Sequence, residues 1–68
     1  MTPGTAVTPL HHLNCGPTGS ESLRPGERLT VVRCFETNAG ARVALADASG
    51  VWVCLCCPVE WLERMEGN

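Results

Sequence analysis

Apolar and polar positions through the middle and end of the chain alternate with a period of two, which predicts β-strands rather than helices. Apolar and β-branched residues dominate segments 28–35, 41–46 and 51–57, each of ordinary strand length. Residues 37–40 and 47–50 between them have the composition of tight turns. The pattern predicts three consecutive strands joined by two short hairpins, a meander.

The same period predicts which side chains face the core. In 28–35, Leu29, Val31 and Phe35 share one face, and Thr30, Val32 and Cys34 share the other. In 51–57 the core face carries Val51, Val53, Leu55 and Cys57, with Trp52, Cys54 and Cys56 opposite. Both faces of the last strand are therefore apolar. One face of such a strand normally meets water, so we expect the N-terminal segment or a partner molecule to cover the second face.

Before the meander, the chain is rich in Thr, Pro, Gly, Ser and Asn. Residues 6–10 are the one apolar stretch, and the prolines and glycines around it favour an edge strand over a helix. A long irregular loop is expected at 14–20. Residues 24–27 then read Arg-Pro-Gly-Glu, a tight turn in which Gly26 takes a positive φ. We assign 1–22 to the edge strand and loop, and 23–68 to the meander of a single domain.

The C-terminal segment carries the one pattern with helical spacing. Pro58 suits a first helical turn, and Val59, Leu62 and Met65 recur every three residues. A short 3₁₀ or helical turn is expected there, in a fold of the all-β class.

This order of elements resembles a small SH3-like β-barrel. Residues 22–32 are similar to that family's passage from its long first loop into its second strand. Residues 57–63 are similar to its final strand, proline, 3₁₀ turn and closing segment. The resemblance covers about 23–65 and implies a barrel. Eukaryotic members of the family bind Pro-rich peptides in a groove lined by aromatic residues. The resemblance matches Pro58 and Trp61 to the proline and the last aromatic residue of that groove, but the other groove aromatics have no counterpart in this chain.

The closing segment 58–64 is also similar to that of the plasmid-borne type II dihydrofolate reductases. Those enzymes line a pore shared by four subunits with a Val-Gln-Ile-Tyr stretch before this proline. Residues 54–57 read Cys-Leu-Cys-Cys instead. An oligomeric enzyme of this kind is one alternative.

Composition limits the classes of function. The chain has 68 residues, 44% hydrophobic and 18% charged, with a net charge of −2. Its five cations are all scattered arginines, which disfavours nucleic-acid binding. The sequence holds no apolar run of about 18 residues and no visible secretory signal. We therefore expect a soluble, cytoplasmic protein without membrane contact. A residue usage typical of GC-rich genomes suggests a bacterial or mobile-element origin.

Five cysteines in so short a chain raise the possibility of a zinc site. His12 and Cys15 have a workable ligand spacing, and Cys54 and Cys56 on one strand face could complete a tetrahedron, although no Cys-x₂-Cys pair is present. A disulfide from Cys15 to Cys34, Cys54 or Cys56 is geometrically feasible. Reduced thiols acting as small apolar side chains are the default expectation.

No residue set specifies a reaction, and we assign no catalytic residue. His11 and His12 are the only bases that a cysteine nucleophile could use, and they lie among prolines. We expect a binding module that recognises another protein, or a second copy of itself, and that needs no cofactor unless zinc stabilises it. The predicted binding residues are Trp52, Cys54, Cys56, Pro58 and Trp61.

Overall fold

A computed structural model of the chain describes residues 2–15 and 21–65, apart from the side chains of Cys15 and Glu21. Within these ranges the structure is all-β, as predicted. The strands are β1 (Ala6–Pro9), β2 (Leu13–Cys15), β3 (Glu21–Leu23), β4 (Leu29–Thr37), β5 (Gly40–Ala46), β6 (Trp52–Pro58) and β7 (Leu62–Arg64), with a 3₁₀ turn at Val59–Trp61.

Two antiparallel sheets hold these strands. The larger has the order β6-β5-β4-β1-β7, and the smaller pairs β2 with β3. Strands β4, β5 and β6 are the predicted meander, which is confirmed. In the described part of the chain β6 and β7 form the two edges of the larger sheet, so its closure into the predicted barrel stays a prediction.

The edge position predicted for the first strand is wrong. β1 lies between β4 and β7, with Val7 opposite Leu29 on one side and Pro9 opposite Leu62 on the other. Proline is tolerated in this interior strand because it is the last residue. The following N–H, that of Leu10, donates to the Trp61 carbonyl at 2.9 Å, and the ladder continues past the proline.

The long loop predicted at 14–20 is only partly a loop. Residues 13–15 and 21–23 pair as the hairpin of β2 and β3, and residues 16–20 lie outside the described residues. The turn at 24–27 is confirmed: Gly26 has a φ of +95°, and the Glu27 N–H donates to the Arg24 carbonyl at 3.2 Å. The Gly26 N–H also donates to Thr8 Oγ1 at 2.7 Å, which fastens the turn to β1.

At the C-terminus the 3₁₀ turn is confirmed, but helical spacing does not continue beyond it. Residues 62–64 form a strand, in which Leu62 is buried. The Met65 N–H donates to the Ala6 carbonyl at 2.9 Å. The open side of β1 offers this segment a row of backbone partners, and a short isolated helix has no such support.

The core is built from side chains of the larger sheet together with Leu23 of β3. Its buried members are Val7, Leu23, Leu29, Val31, Val43, Leu45, Val53, Cys54, Cys57 and Leu62. Every side chain in this cluster is apolar or a cysteine, and no polar or charged residue of the described part is buried.

Two irregularities in strand pairing change the predicted faces. The register shifts between Val31 and Arg33, so Cys34, not Phe35, packs against the core. A β-bulge adds one residue to a strand and reverses its alternation beyond that point, because each side chain then moves to the opposite face.

The larger error concerns β6. Register shifts occur on both sides of the pairing of Leu45 with Cys54, and the burial of successive residues loses its period. Cys54, predicted to face outward, is 2% exposed and belongs to the core. Val51 and Leu55, predicted to face the core, are 60% and 54% exposed.

Cys54 is disulfide-bonded, so the default expectation of reduced thiols is wrong for this residue. The thiols of Cys56 and Cys57 are free. The side chain of Cys15, a predicted partner for such a bond, lies outside the described residues. No helix in the described ranges has the length and apolarity needed to cross a bilayer.

Candidate functional site

The outer face of the meander, opposite the core, carries the candidate site. A cavity of about 400 Å³ opens there, which we call the outer groove; it is lined by Arg33, Phe35, Ala44, Trp52 and Leu55. Trp52 and Leu55 are 52% and 54% exposed. Large apolar side chains that cluster at a surface concavity mark sites where proteins bind other molecules.

β5 forms the floor of this groove because its outward residues are small. Val43 and Leu45 point into the core, and the intervening Ala44 faces outward. Ala44 is only 2% exposed although it is not part of the core cluster. Its small side chain is covered by the larger groups from the flanking strands, which therefore stand as walls above it.

The bulges described above build both walls. After the register shift in β4, Arg33 pairs with Ala44 across the strands and shares the outer face with Phe35. In β6, the irregular register turns Leu55 outward to join Trp52. Regular alternation would instead bury Leu55 and expose Cys54.

A second depression of about 420 Å³ lies beside the outer groove, toward the turn between β5 and β6. Ala46 is in its floor, two residues from Ala44 on the same face of β5. Arg28 and Asp47 also line it. The Asp47 carboxylate is engaged in the turn, where Oδ1 accepts the N–H of Ser49 at 2.9 Å and that of Val51 at 3.0 Å.

At the opposite end of the outer groove, Arg42 lies across from Phe35 on one side and Pro58 on the other. Its Nη1 donates to Cys56 Sγ at 3.9 Å. Its Nε is buried and has no hydrogen-bond partner.

Burial raises the pKa of the neighbouring Cys57 thiol to about 11, although the positive charge of Arg42 opposes the rise. Cys57 is therefore a packing residue, not a nucleophile.

The structure separates the five predicted binding residues. Trp52 lines the outer groove, and Cys56 is exposed beside Arg42. Cys54 and Pro58 are buried. Trp61 is 46% exposed and lies next to Leu10 through the backbone hydrogen bond described above, among residues that do not line the groove.

The four metal candidates are not brought together as described side chains. His12 Nε2 hydrogen-bonds the hydroxyl of Ser22, Cys54 is in a disulfide, and the side chain of Cys15 lies outside the described residues. Residues 2–15 and 21–65 contain no group of three or more His, Cys, Asp or Glu placed to hold a metal ion.

Sequence reasoning missed Arg33, Phe35, Ala44 and Leu55 as members of the site. The signal that could have indicated them is the run of apolar residues on both faces of 51–57, because such a strand can change phase without burying a polar group. A scan against models of protein families, a search of the curated proteins and a search of the solved structures found no match to this chain.

Proposed function

We propose that this chain is a small binding module that recognises another protein through the outer groove. The observation that carries the proposal is the pair Trp52 and Leu55, each more than half exposed on one side of a groove with a buried alanine floor. Tryptophan is enriched in interface hot spots because it buries a large area at a small loss of side-chain entropy. Because Trp52 is about half exposed in this structure, a large part of its area is still available to be buried against a partner.

The alternatives from the sequence receive less support. A disulfide-bonded Cys54 is not a thiolate and cannot serve as a zinc ligand in that state. For a reductase-like enzyme, the segment before Pro58 would have to line a shared pore, whereas Cys54 and Cys57 of that segment are buried in the core. Membership of the SH3-like fold and a bacterial origin stay predictions.

A cytoplasmic location also stays a prediction, and the disulfide at Cys54 counts against it, because structural disulfides are rare in reducing compartments. Acid quenching of intact cells, alkylation of thiols in denaturant so that the buried Cys54 is accessible, and mass spectrometry of the protein distinguish the two cases. Labelling of Cys54 would support a reducing compartment, and its protection would support an oxidising one.

Selection from a displayed library of random peptides tests the binding proposal. We expect the selected peptides to bind the wild-type protein and to lose at least tenfold in affinity for Trp52→Ser. Trp61→Ser is the matched control, because Trp61 is similarly exposed but lies outside the groove. Light scattering over a range of concentrations tests self-association in parallel. Peptides that bind Trp52→Ser as well as wild type, or a protein that neither selects peptides nor associates, would remove the proposal.

A further inference from the structure

The charges on the outer face differ in sign from those of the whole molecule. The chain has a net charge of −2, yet three of its five arginines, Arg28, Arg33 and Arg42, lie along this face of the meander. Among the described residues, Asp47 is the one carboxylate that lines either depression, and backbone N–H groups of its own turn hold it. Of the described residues that line the outer groove itself, none is acidic.

These arginines are left without strong acceptors. Among the described residues neither Arg33 nor Arg42 has an ion pair. Arg42 has only the Cys56 sulfur as acceptor, at 3.9 Å, and its buried Nε has none. Sulfur is a weak acceptor, whereas guanidinium groups form their strongest hydrogen bonds with carboxylates and phosphates. The face therefore offers cationic donors to an anion from outside the molecule.

The shape of the face selects an extended ligand. From Ala46 to Arg42 the floor follows five residues of β5, whose four steps of about 3.3 Å span roughly 13 Å. The apolar wall of Trp52 and Leu55 runs along one side of this length, and Arg33 and Phe35 along the other. A segment of about five residues in extended conformation spans such a distance, with every second side chain directed at the floor.

The charge of the face argues against two other occupants. A second copy of this chain docked face to face would bring its own Arg33 and Arg42 against the same groups, and like charges at an interface are unfavourable. A nucleic-acid strand needs a continuous series of cations along its phosphates, whereas Arg33 is the one cation among the described residues that line the outer groove itself.

We infer that the outer groove binds an extended acidic peptide segment of a partner protein, in which an aspartate or glutamate is flanked at two residues' distance by apolar side chains. The carboxylate pairs with Arg33 or Arg42, and the apolar side chains pack on Trp52, Leu55 and the alanine floor. This inference rests on the proposed function and adds the chemical class of the ligand.

Synthetic peptides test it. The probe is a fluorescein-labelled peptide with the central sequence Leu-Thr-Glu-Thr-Leu, so that both leucines and the glutamate lie on one face of the extended chain. Matched peptides carry glutamine or lysine in place of the glutamate. Measured by anisotropy, we expect the glutamate peptide to bind at least tenfold more tightly than the glutamine peptide, and the difference to shrink at high salt.

Arg33→Gln should remove most of that preference, whereas Arg64→Gln should retain it, because Arg64 is exposed on β7 at the other edge of the sheet. Both arginines are exposed, so both variants should fold, and circular dichroism checks this. Equal binding of the glutamate and glutamine peptides, both lost in Trp52→Ser, would overturn the acidic ligand and leave the proposed function standing.

Two other results would also overturn the inference. One is the absence of binding of any of the three peptides to the folded protein. The other is binding of an oligothymidylate that is lost when Arg33 or Trp52 is substituted, in a protein that does not bind the glutamate peptide. That result would make a nucleic acid the ligand of the groove. Peptides from the random library that depend on Trp52 but contain no carboxylate would contradict the inference while supporting the proposed function.

Discussion

Cys56 and Cys57 are neighbours in sequence but have opposite environments. Cys56 is exposed, with Arg42 Nη1 within 3.9 Å of its sulfur, and Cys57 is 1% exposed in the core. Burial disfavours the charged thiolate and therefore raises the pKa of Cys57. The chain therefore has an exposed thiol at Cys56 directly beside a buried thiol at Cys57.

The raised pKa of Cys57 predicts a loss of stability in alkaline solution. In the unfolded chain this thiol loses its proton near its ordinary pKa of 9.0, whereas in the folded chain it keeps the proton to about 11. Between these values the unfolded state binds fewer protons, so stability falls as the pH rises. It is fully present below about pH 9 and declines toward pH 11. The chain has no lysine or tyrosine to titrate in the same range.

Urea unfolding from pH 8 upward measures this effect. The Cys56→Ser background removes the exposed thiol, which could otherwise exchange with the disulfide at alkaline pH. In that background, Cys57→Val should lack the decline. If both proteins lost stability equally between pH 9 and 11, Cys57 would not be its source.

At the scale of elements, β6 decides which residues form the core and which form the site. Its irregular register buries Val53, Cys54 and Cys57 and exposes Leu55. With uniform alternation, Cys54 and Cys56 would lie on the outer face beside Trp52, and Leu55 would point into the core. Leu55 therefore contributes to the surface of the outer groove, and Leu45 on the neighbouring strand contributes to the core.

This difference predicts unequal costs for two chemically identical substitutions. Leu45→Ala should lower the free energy of unfolding by about 2–5 kcal/mol, because it leaves a cavity in a buried cluster. Leu55→Ala should change it by less than about 1 kcal/mol, because the side chain is already half in water. Chemical denaturation of both variants checks the pair, and equal costs would return Leu55 to the core.

Element types and approximate bounds were accessible from the sequence, because they follow from local composition: the meander, the turn at Gly26 and the 3₁₀ turn after Pro58 all have local signals. The faces of β4 and β6 were not accessible. Their bulges depend on which neighbouring residues fit the core, and a run such as 51–57, apolar at nearly every position, gives no polar marker of phase.

The interior position of β1 and the strand character of 62–64 were hidden for a related reason. Each depends on the other, since β1 supplies the backbone partners of β7. The local pattern of apolar and polar residues in either segment does not indicate which strand it pairs with. Trp52 was accessible as an outward aromatic, whereas the arginines that give the groove its charge become visible only when strands far apart in sequence are set side by side.

For the molecule as a whole, stability is limited by size. A chain of about 60 residues buries only about 60% of the surface that its unfolded form exposes, and such domains commonly need a further constraint. The disulfide at Cys54 provides such a constraint. It links β6, the strand that carries Trp52, covalently to another part of the chain. The geometry of the outer groove should therefore depend on the oxidation state.

Reduction should lower the free energy of unfolding by about 2–4 kcal/mol, since the unfolded chain gains conformational freedom. Wild-type protein unfolded with and without dithiothreitol should show this difference, and Cys54→Ala should resemble the reduced form and no longer respond to the reagent. Peptide affinity measured in parallel should fall with the reduced protein, because Trp52 lies two residues from the bonded cysteine in the same strand. Cys56→Ser, which leaves the disulfide intact, should retain the full response to dithiothreitol. A wild-type protein whose stability is the same in both conditions would show that the disulfide does not support this fold.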